Sequence, residues 1–315
     1  MPGCDEAILV RLLKKSDARA IGDLTISVRQ EIGCDAFYAL EEFENLFETP
    51  WLKNGVGLVL EKETKLIGYG WVSFSSWCKQ DVIHLGLFLS PQAREECYYQ
   101  LLIDALLNEG CNLAKKYNTN KLFFFSRAVD NIHPPILKKF GFSLHPVSML
   151  GMYHSFVNLP RVPSPDKVTV RTSNFPDDQK ILRTMSEFVY DDPPNQGEPL
   201  HESLLELETK NPTFKPEQVI IAEVANKPIG YLVMFLCKNI PNRAYEIIDF
   251  GVLPEWRRKG IGRWLLVLGL NWIKNQGASR AIASTLSSNP ALGIFWQTGF
   301  RPDPARTYNF FIKTI

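Results

Sequence analysis

Residues 247–262 read Ile-Ile-Asp-Phe-Gly-Val-Leu-Pro-Glu-Trp-Arg-Arg-Lys-Gly-Ile-Gly, and this stretch decides the fold. The apolar run 247–253 is typical of a buried strand, and Pro254 ends it because proline cannot continue a central ladder. Apolar residues recur with helical spacing over 264–273, so we expect a helix to begin at or just after Gly260. The sequence therefore predicts a strand, a basic glycine-containing loop and a helix in direct succession.

The predicted loop has the properties of a backbone anion site. The first N–H groups of a helix have no intrahelical partner, and the helix dipole makes that end positive. Gly260 and Gly262 lack the Cβ atoms that would hold a phosphate away. Arg257, Arg258 and Lys259 add positive charge. We interpret the loop as a diphosphate cradle; a tight turn with surface cations is the alternative.

Two common phosphate motifs are absent from the sequence: the G-x-x-x-x-G-K-S/T loop, and the third glycine of a dinucleotide fingerprint. The pattern that is present, R-x-x-G-x-G directly after a strand ending in Val-Leu-Pro, resembles the coenzyme A loop of the GNAT acyltransferase superfamily. Asn289 in an Asn-x-Ala pattern, followed by Phe295 four residues before Gly299-Phe300, resembles the second half of that coenzyme site. The resemblance extends from Val168 to the C-terminus.

Composition and charge bound the remaining possibilities. The chain has 315 residues, 45% of them hydrophobic, which is enough for two ordinary cores. A formal net charge of +1 argues against a dedicated nucleic-acid or membrane binder. No apolar run reaches the roughly 20 residues of a membrane helix, and the N-terminus does not resemble a signal peptide. We expect a cytoplasmic protein without a structural metal, because no C-x-x-C spacing links the six cysteines: Cys4, Cys34, Cys78, Cys97, Cys111 and Cys237.

A proline-rich segment, residues 158–167, separates two halves of similar length, 1–157 and 168–315. The halves share a spaced pattern of residues, which indicates two copies of one fold. The matched positions are Glu61, Lys65, Ile67, Gly68 and Tyr69 with Glu223, Lys227, Ile229, Gly230 and Tyr231; Val10, Arg11 and Asp17 with Val170, Arg171 and Asp177; and Arg94 with Arg257.

The resemblance and the repeat together imply an α/β (α+β) protein of two tandem GNAT domains, each a mixed, mostly antiparallel sheet flanked by helices. This layout is similar to that of the mycothiol synthase family. In the first copy, Cys97 and Tyr99 align with the two loop glycines, and Glu95 and Glu96 replace Arg258 and Lys259. Both changes oppose anion binding. We expect residues 1–157 to form a degenerate domain that does not bind the cofactor.

The resemblance implies the chemistry of the second domain: an amine acceptor attacks the thioester of acetyl-coenzyme A directly, in a ternary complex. A backbone N–H at the end of the strand would polarise the thioester carbonyl. Asn289 would bond the pantetheine arm or, equally, cap the last helix. The predicted cofactor-binding residues are Val252, Leu253, Arg257, Arg258, Lys259, Gly260, Ile261, Gly262, Arg263, Asn289 and Phe295.

Two residues are candidates for proton transfer. Asp249, with Glu246 nearby, lies inside an apolar strand, where a charge is either functional or salt-bridged. The family often places an acidic tyrosine at the position that Phe295 occupies here, so Tyr308 is the candidate acid; it could equally be a core aromatic. If no acid is present, the thiolate leaves unassisted.

The acceptor is less well defined by the sequence. An acidic segment, residues 190–198 with Glu202, Glu206 and Glu208, falls where the family's acceptor site usually lies, and it suits a cationic amine on a small molecule or a peptide. A solvated acidic loop is the other interpretation. We expect a monomer or homodimer. The alternative function is a coenzyme A sensor or scaffold with little catalytic activity.

Overall fold

The chain divides into two compact units. The computed structural model describes residues 8–31, 52, 54–77, 80–191, 214–237 and 243–315. The first unit comprises Met1–Ser148 together with Tyr308–Ile315, and the second comprises Met149–Thr307.

The first unit packs its helices against a six-stranded sheet. The strand order is β1-β2-β3-β4-β5-β13, in which β4 and β5 are parallel and the other neighbours antiparallel. Two apolar cores form, one with α2 and one with α1. The elements are β1 Ile8–Leu12, α1 Ala18–Glu31, β2 Gly55–Lys62, β3 Lys65–Trp77, β4 Gln80–Leu89, α2 Glu96–Lys116, β5 Lys121–Arg127, α3 His133–Lys139 and β13 Tyr308–Thr314.

The second unit repeats this arrangement. Its order is β7-β8-β9-β10-β11-β6, in which β10 and β11 are parallel, and the short strand β12 also pairs with β6. The fold class predicted from the sequence is confirmed. The elements are β6 Ser143–His154, β7 Thr169–Thr172, α4 Asp178–Asp191, β8 Val219–Val224, β9 Lys227–Cys237, β10 Ala244–Val252, α5 Ile261–Asn275, β11 Arg280–Leu286, α6 Leu292–Thr298 and β12 Arg301–Pro302.

An arginine–carboxylate triad links the first strand, first helix and hairpin in each unit. Arg11 bonds Asp17 at 2.7 Å and also contacts Glu61. In the second unit, Arg171 bonds Asp178 at 2.6 Å and Glu223 at 2.8 Å. The sequence match of Asp17 with Asp177 is therefore wrong by one residue. The connection from Arg171 to its aspartate is one residue longer than that from Arg11, which spacing alone does not reveal.

The last strand of each repeat is exchanged between the units. Strand β13, which follows α6 of the second repeat, pairs with β5 of the first unit. Residues 149–154 of β6, which follows α3 of the first repeat, pair with β11 of the second unit. The division into units thus differs from the predicted limits 1–157, 158–167 and 168–315, and the proline-rich segment lies inside the second unit. Composition marks a connector, but it carries no information on long-range strand pairing.

No helix among the described residues is long and apolar enough to cross a membrane. No disulfide bond joins the described cysteines Cys97, Cys111 and Cys237.

Candidate active site

Strands β10 and β11 separate at one end of the second unit. Parallel pairs join Ala244–Ile247 to Arg280–Ala283. Beyond these pairs, β10 continues to Val252 along β9, and β11 continues to Leu286 along β6. A V-shaped gap therefore opens between two neighbouring parallel strands, and it lies beside the loop that leads to α5.

A β-bulge in β10 decides which side chains face each side of this gap. On a regular strand, residues 245, 247 and 249 would share one face. The register shifts between Ile247 and Asp249, where Ile248 is the extra residue. Ile247 and, beyond the bulge, Phe250 both pack in the core formed with α5. Asp249 is thereby turned to the opposite face, toward α4.

Three hydroxyl groups hold Asp249 there. Tyr190 and Tyr231 each donate a hydrogen bond to its carboxylate at 2.7 Å, and Ser186 donates one at 3.4 Å. Burial raises the pKa of Asp249 to about 6, although the three hydroxyls oppose that shift by stabilising the anion. Burial also raises the pKa values of Tyr190 and Tyr231. The site therefore contains a carboxylate poised to accept a proton near neutral pH. We call Asp249, Ser186, Tyr190 and Tyr231 the hydroxyl–carboxylate cluster.

Glu246 is a second carboxylate on β10. Its side chain is partly exposed, and burial raises its pKa while Arg306 acts in the opposite direction. No described group forms a salt bridge with Glu246. Glu246 and Asp249 thus place two carboxylates on β10.

The loop between β10 and α5 has the predicted form, with one addition. A 3-10 turn covers Pro254–Trp256, and α5 begins at Ile261 with Gly260 as its N-cap. Gly260 has a φ of 80°, and a Cβ atom there would meet nothing within 4 Å. Glycine is therefore required for its left-handed conformation and not for lack of space. No side chain caps this helix end, so its first N–H groups are available to an anion.

The cations of the loop have different environments. Arg257 donates to the carbonyl oxygens of Val252 at 3.0 Å and Val189 at 3.2 Å. The ammonium of Lys259 lies 4.4 Å from the Trp256 ring centroid. The Nε atom of Arg263 is buried, and no described group bonds it. An uncapped helix end beside an unsatisfied guanidinium N–H fits a diphosphate.

Arg257 has a structural role that the repeat makes clear. Its counterpart Arg94 bonds Glu31 at the end of α1 with N–O distances of 2.6 and 2.8 Å, just as Arg257 reaches α4 through Val189. The arginine is thus kept in the copy whose loop lost its glycines. The contacts of Arg257 accordingly tie the loop to the first helix of the repeat and give no support to its predicted role in binding the coenzyme.

The sequence analysis proposed the backbone N–H of Val252 or of Leu253 as the donor to the thioester carbonyl. The strand register distinguishes the two. The Leu253 N–H donates to the Ile229 carbonyl at 2.9 Å. Hydrogen-bonded and non-hydrogen-bonded pairs alternate in an antiparallel ladder, so Val252, opposite Gly230, directs its N–H away from β9. That direction is toward the gap. Val252 is therefore the better candidate of the two.

Asn289 and Phe295 are placed by contacts within the protein. The Asn289 carbonyl accepts from the Ala291 N–H at 2.9 Å, and its amide donates to Thr285 at 2.9 Å. The N-cap of α6 is Ala291, which has no side-chain cap, so Asn289 closes the turn before the helix and is not its N-cap. Phe295 is buried in the core and packs edge-on against Phe250.

Tyr308 belongs to the sheet of the first unit. It pairs with Arg127, whose guanidinium lies 4.7 Å from the Tyr308 ring centroid. The strand exchange thus places Tyr308 in the first unit and Asp249 in the second, and the prediction of Tyr308 as an acid finds no support in these contacts. Of the acidic segment, only residues 190 and 191 lie within the described residues. No group of three or more described His, Cys, Asp or Glu side chains could hold a metal ion.

In the first unit, a buried side chain occupies the position that corresponds to Gly262. Tyr99, which aligns with Gly262, is 1% exposed and packs edge-on against His133, with centroids 5.3 Å apart. Asp130 accepts from the Ile132 N–H and from Ser126, as Asn289 bonds Ala291 and Thr285 in the second unit. The framework of the loop and the short helix is therefore preserved, while a buried phenol takes the place of a glycine.

The second unit has three features that define the GNAT class of proteins. They are a parted pair of parallel strands, a helix that starts at a glycine, and a short helix after the next strand. A family model described as the acetyltransferase (GNAT) family matches residues 183–300, all within the second unit. Residues 183–300 of the second unit are thus similar to the GNAT acetyltransferase family, and the whole chain has the tandem GNAT fold.

Individual relatives agree with this assignment. The mycothiol acetyltransferase of Thermomonospora curvata is 30% identical over 143 residues, which cover 45% of this chain. The alignment spans 47% of that protein, about half its length. A GCN5-related N-acetyltransferase from Sphaerobacter thermophilus matches with a TM-score of 0.74 and 16% identity, over 98% of this chain and 95% of that one. A tandem GNAT protein from the clavulanic acid biosynthesis pathway matches with a TM-score of 0.70 and 14% identity, over 98% of both chains.

The sequence analysis did not connect Ser186, Tyr190 and Tyr231 with Asp249. Tyr231 appears among the matched repeat positions, and Tyr190 begins the acidic segment 190–198 that was assigned to the acceptor. Ser186 and Tyr190 stand four residues apart on α4 and share a helix face. Nothing in the sequence indicated that this face meets Asp249, because the bulge that turns Asp249 toward α4 is not visible in the hydrophobic pattern.

Proposed function

We propose that the second unit transfers an acetyl group from acetyl-coenzyme A to an amine by direct attack in a ternary complex. The observation that carries this proposal is the gap between β10 and β11, which opens beside an uncapped helix N-terminus. A thioester in the gap and a diphosphate at the helix end would be held by one continuous surface. The match of residues 183–300 to the GNAT acetyltransferase family supports acyl transfer in general.

The coenzyme would be held mainly by the backbone. The N–H groups of Ile261, Gly262 and Arg263 at the start of α5 would bind the diphosphate, together with the Arg263 guanidinium. Arg258 and Lys259 would add charge at the same end. The Val252 N–H would donate to the thioester carbonyl, whose oxygen gains negative charge as the amine attacks.

Asp249 would act as the base. An ammonium acceptor must lose a proton before it can attack, and a carboxylate with a pKa of about 6 is mostly ionised at neutral pH. Phe295 cannot donate a proton, so the thiolate would leave without a side-chain acid; a thiol with a pKa near 8.5 is a good leaving group. Positioning of amine and thioester would supply much of the acceleration.

The acceptor would be a cationic amine on a small molecule or a peptide. Glu246 and Asp249 place two carboxylates on β10, and Glu246 is partly exposed without a salt bridge to any described group. Such a site would attract an ammonium group by charge complementarity. The first unit would act as a structural partner and not as a second catalyst, because Tyr99 is buried where the cradle has Gly262.

Calorimetric titration of acetyl-coenzyme A into the full chain tests the proposal. We expect one site per chain, because the N-cap of the helix after this loop is Gly260 in the second unit and Glu95 in the first. Two sites would contradict the assignment of the first unit as degenerate, and no binding would contradict the cradle.

The alternative function is a coenzyme A sensor, favoured by the buried Phe295 in place of a tyrosine. Thiol release from acetyl-coenzyme A with a panel of primary amines (glucosamine, lysine, spermidine and a dipeptide) separates the two functions. An enzyme releases thiol with at least one amine, whereas a sensor shows one binding site and no release with any of them.

A further inference from the structure

We propose that Tyr190 is a catalytic residue that carries the proton from the acceptor amine to Asp249. This inference rests on the proposed acyl transfer and names the group through which the base acts. It follows from the geometry of the hydroxyl–carboxylate cluster.

Asp249 is closed to direct contact with a substrate. Its side chain is 6% exposed. One carboxylate oxygen accepts from Tyr190, and the other accepts from Tyr231 and Ser186. An amine could reach the carboxylate only by displacing one of these hydroxyls, so the proton must enter through one of them.

Tyr190 is the member of the cluster that reaches the surface. Ser186 and Tyr231 are both 0% exposed, whereas Tyr190 is partly exposed at the last turn of α4. A phenol oxygen can accept one hydrogen bond while its own proton is donated onward. Tyr190 can therefore contact an amine on one side and Asp249 on the other.

The transfer balances without a tyrosinate intermediate. The ammonium gives a proton to the Tyr190 oxygen while the Tyr190 proton moves to Oδ1 of Asp249. The neutral amine then forms the C–N bond, and the C–S bond breaks with its electron pair left on sulfur. The second amine proton neutralises the thiolate. Asp249 returns its proton to solvent by the reverse path through Tyr190.

Among the residues that the structure describes, few other titrating groups lie near the cluster. Helix α4 contributes Ser186 and Tyr190, and β9 contributes Tyr231. Strand β10 contributes Glu246, three residues before Asp249 and likewise of raised pKa. A cation, Arg257, lies beside the cluster. Its guanidinium donates a hydrogen bond to the carbonyl of Val189, the residue before Tyr190.

The first unit lacks the two residues that the relay requires. Tyr69, the counterpart of Tyr231, bonds Thr25 of α1 at 2.7 Å. The strand register places Gly86 where the second unit has Asp249, and a Cβ atom on Gly86 would lie 2.3 Å from the Trp71 ring. By the spacing from Thr25, Arg29 stands at the position of Tyr190. The copy with the altered coenzyme loop thus keeps the buried tyrosine and the helix hydroxyl but has no acid or second phenol.

Two phenylalanine substitutions separate a relay from a structural role. Tyr190→Phe and Tyr231→Phe each remove one 2.7 Å hydrogen bond to Asp249, and only Tyr190 reaches the surface. The probe is thiol release from acetyl-coenzyme A with the best amine of the panel, measured from pH 6.5 to 9.5. At neutral pH we expect Tyr190→Phe to lower kcat about 100-fold, the range of general acid–base catalysis, with unchanged affinity for acetyl-coenzyme A.

The pH dependence is the decisive readout. Without the relay, Tyr190→Phe must use amine that is already deprotonated, so its deficit should shrink about tenfold per pH unit toward the pKa of the amine. Tyr231→Phe should show a smaller deficit that does not shrink in this way. A pH-independent deficit in Tyr190→Phe, or an equal effect of both variants, would overturn the relay and leave the acyltransferase standing. A wild-type chain inactive with every amine would overturn both.

Discussion

Asp249 is a buried carboxylate held by hydroxyls and not by a cation. Burial of an ion is costly, and the cost appears as the raised pKa of this group. Proteins tolerate such a cost mainly where a proton must be moved near neutral pH. Three hydroxyl donors stabilise the anion and fix its orientation.

Asp249→Asn should change the dependence of stability on pH. A folded-state pKa of about 6, above an unfolded value of about 3.9, stabilises the fold fully below pH 3.9, and this contribution is lost as the pH rises through 6. Relative to wild type, the variant should therefore gain up to about 3 kcal/mol in opening free energy between pH 4 and 7. Hydrogen exchange of the α4 and β10 peptides measures this difference.

Ser186→Ala serves as the control for this experiment. It removes one hydroxyl from the cluster and keeps the titrating carboxylate, so the pH-dependent difference from wild type should be small. A difference for Asp249→Asn that stays flat from pH 4 to 7 would show that the carboxylate titrates normally in the folded chain.

The sequence singled out Asp249 for a sound reason, since a charge in an apolar strand requires a partner. It could not identify that partner. A salt bridge was one expected outcome, and the structure shows hydroxyls from α4 and β9 instead. Partners that lie 18 and 59 residues away are a property of packing, which one-dimensional spacing does not encode.

At the scale of elements, both ends of α5 depend on a left-handed glycine. Gly260 precedes the helix with a φ of 80°, and Gly277 follows it with a φ of 74°. A Cβ atom would meet nothing within 4 Å at either position. The two glycines therefore impose the same conformational demand at opposite ends of one helix, and only the first faces the proposed diphosphate site.

This symmetry gives a matched pair of variants. Gly260→Ala and Gly277→Ala should each lower the free energy of unfolding by about 1 kcal/mol, because alanine disfavours the left-handed conformation. Only Gly260→Ala should also weaken acetyl-coenzyme A binding, since it alters the loop that we propose holds the diphosphate. Calorimetry on both proteins checks the prediction; equal affinities would mean that the loop conformation does not matter to binding.

Local elements were the part of the fold that the sequence predicted well. The strand, loop and helix around residues 247–262 follow from hydrophobic period and from glycine and proline, and α5 begins one residue after Gly260. The bulge at Ile248 and the 3-10 turn Pro254–Trp256 were not predicted. Each depends on how the backbone meets a neighbouring strand or helix, and neither changes the apolar pattern.

At the scale of the whole molecule, the last strand of each repeat pairs with a strand of the other repeat. The repeat and the proline-rich segment correctly indicated two similar halves. They did not indicate that β6 pairs with β11 of the second repeat and that β13 pairs with β5 of the first repeat. Strand pairing between distant segments has no local signature, so limits drawn from composition fell at 158–167, whereas the units divide at 148 and 307.

Removal of residues 308–315 should damage the first unit and spare the second. The deletion exposes the edge of β5 and removes Phe310 and Phe311, which are 2% and 6% exposed. Loss of two buried aromatic side chains typically costs several kcal/mol. Hydrogen exchange should show lost protection in α2 and β5 with α5 unchanged.

The double variant Phe310→Ala/Phe311→Ala keeps the strand and tests only the contribution of the two buried side chains to stability. Its loss of protection should be smaller and fall in the same segments as that of the deletion. Lost protection in α5 and β11 in either protein would contradict the assignment of β13 to the first unit.

The position of β13 also constrains the order in which the protein can be completed on the ribosome. Synthesis is vectorial, and domains generally fold from the N-terminus as they emerge. Here, every residue of the second unit is made before Tyr308–Thr314, the strand that closes the first unit's sheet. The unit that is translated first is therefore finished last, and until then it carries an open strand edge at β5.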